Sequence, residues 1–344
     1  MIKGKAVFAI AVSAAMLLSF SACGDGGSSS ADSATGSGSA SSMKRPQPTN
    51  VPKACTVNGK TLTLGVVSID EQTAFFNQLN TGIKDVATIA GAKINFVSGK
   101  DDAATQVTGI ENLMSSKVSA LIVDPYDMNA LVPAFKSAKS AGIPVVSVDG
   151  QVADASSYDA QVGTANKEGG AELASHMLKL SGGKGAVGIV GALNSTIQIQ
   201  RQQGFEDAVK AGGMTISTVV DGQNQADKAQ TAAENLLTAN PNPKYIYATG
   251  EPALNGAIAA VKSQGRQNDV QIVGWDLSQT SASGLTAGFV KAVVQQNSFG
   301  FGQESAKAAI NLACGKTVKK DISVPINIVT AENLKKYSYF LKES

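Results

Sequence analysis

Short apolar runs rich in Val, Ile, Leu and Ala recur through most of this chain, each followed by a stretch with helical spacing. Strand-like runs fall at 61–67, 93–97, 120–123 and 144–148, with helix-like stretches at 75–90, 103–116 and 129–141, the last closed by Gly142. The cycle repeats with strands at 186–190, 215–220, 245–248 and 270–273 and helices at 166–180, 197–211, 226–239 and 253–263. The strand runs lack clear apolar–polar alternation, as expected of strands covered by helices on both faces. Such alternation of strand and helix predicts parallel sheets in a doubly wound α/β architecture. The cycles divide into two blocks, 61–162 and 163–296, so two lobes are expected of the 344 residues.

Composition narrows the function. With 29 Lys+Arg against 27 Asp+Glu the formal charge is +2, which argues against a nucleic-acid binder that relies on a broad basic surface. Charged residues at 16% and hydrophobic ones at 43% exclude a chain that is disordered throughout or built only of membrane spans. One His and three Cys are too few for most His/Cys metal sites or a zinc-finger array, and neither metal nor cofactor is expected. Gly183 to Gly188 spells GxGxxG, but a helix precedes it and its last residues are already strand, the reverse of a dinucleotide fingerprint. Gly315-Lys316-Thr317 resembles the end of a P-loop, yet Ile310 stands where the first Gly is needed and the segment closes a helix. His176 lies mid-helix and is the one His available to any His-dependent triad, so no nucleophile–base pair is visible and an enzyme is not expected.

The N-terminus reads as an address. Lys3 and Lys5 precede an apolar run at 6–20, shorter than the ~20 residues of a membrane span. It ends in Leu18-Ser19-Phe20-Ser21-Ala22-Cys23, which resembles a bacterial lipobox. A signal peptide is therefore expected at 1–22, with Cys23 lipidated and 23–54 a flexible tether. Residues 24–42 hold 8 Ser, 5 Gly and 3 Ala, and such a stretch cannot bury a core. This layout places the body outside the cytoplasmic membrane, anchored by lipid alone. In that oxidising compartment the two remaining Cys, Cys55 and Cys314, are either a disulfide or two separate thiols.

Ligands of open α/β sheets sit beyond the carboxyl ends of strands. Polar or aromatic residues recur there: Asp70, Phe75 and Phe76 after the first strand, Asp124 and Asp149 after later ones, then Gly250 with Glu251, and Asp276. Their repetition in both blocks points to a cleft between two lobes.

The stretches LGVVS and AFF (64–68 and 74–76), LIVDP, GIPVVSVDG, RQQGFEDAV, NLLTANP, IVGWD and VVQQ resemble the ribose-binding-protein-like solute receptors, in the same order and at similar spacing over 61–329. These are type I periplasmic sugar-binding proteins of ABC importers. The resemblance implies two Rossmann-like lobes joined by three crossovers, near 162–164, 296–298 and 326–330. The N-terminal lobe would comprise 55–162 and 297–328, and the C-terminal lobe 163–296 and 329–344. That topology puts Cys55 and Cys314 in one lobe and favours the disulfide. The implied function is delivery of a monosaccharide, pentose or hexose, to permease and ATPase subunits by a monomeric lipoprotein. A sensor that presents ligand to a membrane receptor is the alternative. A related sugar repressor is disfavoured by the leader and the lack of an N-terminal helix-turn-helix.

The same resemblance implies a ligand set. Phe75 and Phe76 match an aromatic pair that packs on the apolar face of a sugar, although core roles for them are also open. Thr73 stands where relatives often carry Asn. Asp124 and Asp149 match first-lobe acceptors of sugar hydroxyls. Arg201, Asp276 and Gln296 match second-lobe and crossover contacts. Gly150 replaces a ligand-binding Arg, Asn224 an aromatic residue and Gly250 an Asn, which argues against a strict ribose site. Trp275 either faces the cleft or belongs to the core, and Asp70 is a further candidate contact. Cys23→Ser is expected to move the protein from the membrane to the soluble fraction with ligand affinity unchanged, because the tether lies outside the folded body; persistence in the membrane fraction would contradict lipidation.

Overall fold

The structure is a computed structural model that describes residues 44–71, 74–239 and 244–342; Cys23 and Thr73 lie outside the described residues. A small antiparallel hairpin of β1 (Thr56–Val57) and β2 (Lys60–Thr61) leads in. The first lobe runs β3 (Thr63–Ser68), α1 (Ala74–Ala90), β4 (Lys93–Ser98), α2 (Ala103–Ser115), β5 (Ala120–Val123), α3 (Val132–Ser140), β6 (Val145–Val148) and β7 (Ala160–Gly163). The second runs α4 (Asn166–Ser181), β8 (Ala186–Gly191), α5 (Thr196–Ala211), β9 (Thr215–Asp221), α6 (Ala226–Ala239), β10 (Tyr245–Ala248), α7 (Glu251–Ser263), β11 (Gln271–Trp275), α8 (Gln279–Ala287) and β12 (Val290–Gln295). The chain then returns to the first lobe with α9 (Ser298–Ala313) and β13 (Asp321–Ser323), and to the second with β14 (Asn327–Val329). A short α10 (Leu334–Tyr337) and a 3-10 turn (Ser338–Leu341) follow.

Each lobe holds a six-stranded sheet, ordered β13-β7-β6-β5-β3-β4 in the first and β14-β12-β11-β10-β8-β9 in the second. Pairing is parallel throughout except for β14, which runs antiparallel to β12. Central strands β5 and β6 are buried at every position, which explains their unbroken apolar character. The edge strand β9 alternates between exposed and half-buried residues, because successive side chains point to opposite faces of the sheet and the two faces are covered unequally there. Helix α3 starts at Val132 rather than at 129, since Asp127 accepts the backbone N–H groups of Asn129 and Ala130, both at 2.8 Å, and holds a turn there. Helix α7 starts at Glu251 rather than at 253, with Gly250 as its cap and Pro252 in the first turn, where a missing N–H costs nothing.

The chain crosses between lobes after β7, after β12 and after β13. The third crossing falls at 324–326, earlier than the expected 326–330. Residues 327 and 328, expected in the first lobe, belong to the second sheet, where Asn327, Ile328 and Val329 pair with Gln295, Val294 and Val293. Val329 is fully buried in the second core, whereas Val324 still belongs to the first. A disulfide joins Cys55, ahead of β1, to Cys314 at the end of α9.

Two helix pairs approach until their backbones touch, and glycine permits it in both lobes. Between α1 and α9, a Cβ on Gly82 would lie 2.1 Å from the carbonyl oxygen of Phe299, and one on Gly302 1.9 Å from that of Leu79. Between α4 and α5, a Cβ on Gly170 would lie 2.1 Å from the carbonyl oxygen of Arg201, and one on Gly204 1.8 Å from that of Lys167. Backbone cannot retreat as a side-chain tip can. Gly302→Ala is therefore expected to cost roughly 1–3 kcal/mol or more, read as a lower urea midpoint at unchanged slope.

Candidate functional site in the interlobe cleft

The carboxyl ends of both sheets border a cavity of about 390 Å³. Phe75, Phe76, Gln78 and Asp149 line it from the first lobe; Gln198, Arg201, Glu251 and Asp276 line it from the second. Gln295 and Gln296, at the second crossing, and Phe340 of the C-terminal turn complete much of the wall.

Phe75 and Phe76 stand in the first turn of α1, edge to face with ring centres 5.4 Å apart. Phe75 also meets Phe301 edge-on at 5.8 Å and packs on the first core. It is core and cavity wall at once, and both rings are half-buried. Asp149 directly follows β6 and Asp276 directly follows β11, and both take the left-handed backbone, with φ of 55° and 67°. Asp tolerates this conformation better than most residues. In each case the backbone N–H donates to the neighbouring strand, to Val162 at 2.8 Å and to Val294 at 2.7 Å. The two lobes thus present an aspartate by the same device.

Arg201 is nearly buried and is held on every side. Its Nε donates to Asn166 Oδ1 at 2.9 Å, and its Nη1 donates to the Thr249 carbonyl at 3.3 Å and lies 3.5 Å from Asp276 Oδ2. Its guanidinium stacks 4.0 Å from the ring centre of Trp275. Trp275 Nε1 donates to the Tyr247 hydroxyl at 3.0 Å, and Tyr247 lies flat on Phe205 at 3.8 Å. Trp275 is fully buried and is not part of the cavity wall: it is the platform under Arg201. Gln296 Nε2 donates to Asp276 Oδ1 at 2.9 Å, and Gln296 Oε1 accepts from Thr164 Oγ1 at 2.9 Å, so one side chain links two of the crossings to the site.

Four further expected contacts do not line the cavity. Asp124 is 1% exposed; its Oδ1 accepts from the Gly150 N–H at 3.4 Å, and its Oδ2 has no partner among the described residues. It is not part of the cavity wall, whereas Asp149, which follows the next strand of the sheet, is. Asp70 is likewise buried, with its carbonyl accepting from Ser68 Oγ at 2.9 Å. Asn224 is exposed and accepts from Gln198 Nε2 at 2.6 Å. Gly250 leaves room for the same residue, since a Cβ there would lie 2.8 Å from Gln198. Asn224 and Gly250 therefore position Gln198, which reaches the cavity and whose Oε1 also accepts from Thr249 Oγ1 at 2.7 Å.

Sequence reasoning missed Gln78, Gln198, Gln295 and Phe340 as lining residues, and it took Glu251 only as a strand-end residue beside Gly250. Gln198 lies three residues before Arg201 on one face of α5, a spacing that could have found it. Gln295 adjoins Gln296, and Glu251 adjoins Gly250. Phe340 carries no local signal. It reaches the cavity because Gln78 Nε2 donates to its carbonyl at 2.8 Å and because it packs on Phe299 with ring centres 5.7 Å apart.

Carboxylates dominate the electrostatics of the site: Asp149 and Asp276 are half-buried, Glu251 is exposed at the rim and Asp124 is buried behind them. Burial pushes the Asp149 carboxyl up to about 6, with Arg201 opposing and Asp276 adding to the rise. Burial also raises Asp276, against Arg201 and the Gln296 amide. Asp124 is driven well above the usual carboxylate range by burial and by Asp149, with the Gly150 N–H opposing. Partial burial and Asp276 raise Glu251 at the cavity rim.

Residues 64–317 match the sequence profile described as a periplasmic binding protein domain. The chain belongs to the periplasmic binding protein family. It is similar to the ribose import binding protein of Bacillus subtilis, 28% identical over 275 residues that span 79% of this chain and 88% of that one. It is also similar to the D-ribose/D-allose-binding protein of Pseudomonas aeruginosa, 30% identical over 69% of this chain and 77% of that one. A periplasmic ribose ABC transporter structure from Conexibacter woesei shares the fold, with a TM-score of 0.77 at 23% identity over 81% of this chain and 95% of that one.

A ligand hydroxyl that donates to Asp149 favours the ionised carboxylate. Binding then lowers the Asp149 pKa and releases a proton, so affinity should climb as pH rises toward about 6 and level off above it. Below that point the gain is at most about tenfold per pH unit. Calorimetric titration across a pH series tests this, and an affinity that falls over the same interval would refute it.

Proposed function

We propose that this protein is the extracytoplasmic receptor of an ABC importer, that it captures a monosaccharide between its lobes, and that a lipid on Cys23 tethers it to the cell membrane as a monomer. The observation that carries the reading is a single cavity with an aromatic pair and Asp149 on one lobe, and Arg201 with Asp276 on the other. An aromatic face suits the C–H face of a sugar ring, while carboxylates and a guanidinium suit its rim of hydroxyls. The family membership and the ribose- and allose-binding relatives support the same reading.

The mechanism is capture by closure. Three crossings join the lobes, so each lobe can move as a body about them. A sugar that accepts from Arg201 and donates to Asp149 and Asp276 bridges the faces that the two lobes turn to the cavity. Binding energy is spent on holding the lobes together, and no bond in the ligand changes. Arg201 enters this step already oriented, because Trp275 and Asn166 fix its plane, and an oriented donor loses little freedom on binding. Within the proposed ligand set, Phe75, Phe76, Asp149, Arg201, Asp276 and Gln296 touch the sugar, with Gln198 beside them.

Truncation in the second lobe should uncouple binding from closure. Asp276→Ala removes two acceptors and the partner of Arg201, and each charge-assisted bond is worth about 1.5–3 kcal/mol. Affinity should fall at least about tenfold, and solution scattering should need correspondingly more ligand to show compaction. A panel of monosaccharides in a thermal-shift assay identifies the ligand first. Failure of every sugar to stabilise the protein, or wild-type affinity in Asp276→Ala, would overturn the reading.

A further inference from the structure

The charges around the cavity do not balance. Among the described lining residues Asp149, Glu251 and Asp276 are carboxylates and Arg201 is the sole cation. That cation is already committed, to Asp276 at 3.5 Å, to Asn166 and to the face of Trp275. Asp276 has a second partner in Gln296. Asp149 has only the field of Arg201 to offset its charge, with no hydrogen bond, and Glu251 stands exposed at the rim. No described residue donates a hydrogen bond to the Asp149 carboxylate, and Glu251 has only a long contact of 3.4 Å from the Asn255 amide. Behind the wall stands Asp124, buried and with one carboxylate oxygen unpartnered among the described residues.

In this structure the missing cation cannot come from the position after Asp149, where Gly150 stands in place of the Arg that the resemblance implies. A Cβ on Gly150 would lie 2.6 Å from the Pro125 carbonyl oxygen, so no side chain fits there. Nor do the described acids gather tightly enough for a metal ion, since no group of three or more potential ligands comes together among the described residues. The negative charge is spread around a cavity large enough for an organic ligand, and Phe75 and Phe76 offer rings whose faces also attract cations. Burial raises all four carboxyls, and a guest cation would relieve that cost.

We propose that the cleft takes an amine-bearing sugar or polyol, whose ammonium sits on the side formed by Asp149, Glu251 and Asp276 while Arg201 and the glutamines hold its hydroxyls. This rests on the reading that the cleft binds a sugar. With a neutral sugar three lining carboxylates still face one guanidinium, and an ammonium beside Asp149 neutralises part of that excess as the lobes close.

The test uses matched pairs on the purified full chain near neutral pH: glucose with glucosamine, galactose with galactosamine, mannose with mannosamine, and myo-inositol with an amino-deoxy inositol. At least one amine should bind about tenfold or more tighter than its neutral parent by calorimetry. Glu251→Gln should shrink that ratio, and added salt should weaken the amine more than the parent. A neutral parent that binds as tightly as its amine, or more tightly, overturns the amine proposal and leaves the sugar reading standing. An amine-to-parent ratio that Glu251→Gln does not change also overturns it. Absence of binding by every member of both series takes down the sugar reading together with the proposal.

Discussion

Parallel pairing forces every strand of the first sheet, and all but β14 of the second, to end along the same edge, and the cleft exists because two such edges are brought together. Register carries this through the first lobe: Val67 pairs with Val123 and Val123 with Ser147, so the residues that follow emerge at one level. The sheet interiors can then be entirely apolar, while polar chemistry collects where the strands stop. Crossover connections between parallel strands place helices on both faces, and the cores that result hold these edges rigid. The backbone contacts of α1 with α9 and of α4 with α5 serve the same end, because Phe75 and Arg201 ride on helices fixed in this way.

Within that frame the two lobes contribute unequal parts. The first offers two rings and a carboxylate that no described residue satisfies. The second offers an assembled unit in which Phe205, Tyr247, Trp275, Arg201, Asp276 and Gln296 each hold the next. Removing a member of that unit leaves a buried polar group behind, which is why its effect on binding should exceed that of losing a rim contact. Gln296 also bonds Thr164 of the first crossing, so the hinge and the second-lobe site share one hydrogen-bonded path.

The excess of acid gives the cleft a direction of charge. Three lining carboxylates and Asp124 behind them face one guanidinium, an imbalance that screening weakens least at the less exposed Asp149 and Asp276. It adds to the desolvation that raises these carboxyls, and it is why affinity should depend on pH and on the charge of the ligand.

Much of this was legible in the chain itself. Strand and helix periods are local properties, so the two-block α/β alternation follows from burial on both sheet faces, and the acids at the strand ends follow from where those runs stop. Placement of Asp149, Arg201 and Asp276 near a cleft needed only that rule and the resemblance. What local pattern could not decide was the facing of each strand-end residue. Trp275 and Asp276 are adjacent, yet one is wholly buried under Arg201 and the other opens on the cavity. Asp124 and Asp149 follow neighbouring strands, yet only Asp149 reaches the front. Asn224 and Gly250 act through Gln198, a role set by contacts between separate loops. The last strand changed lobes by a few residues because β12 offered it an open edge, and Phe340 came to the cavity from the far end of the chain. Sequence determined which elements form and where polar groups leave them; only the packing of one element on another decided which of those groups meets the ligand, because facing depends on the neighbours that fill the space around each side chain.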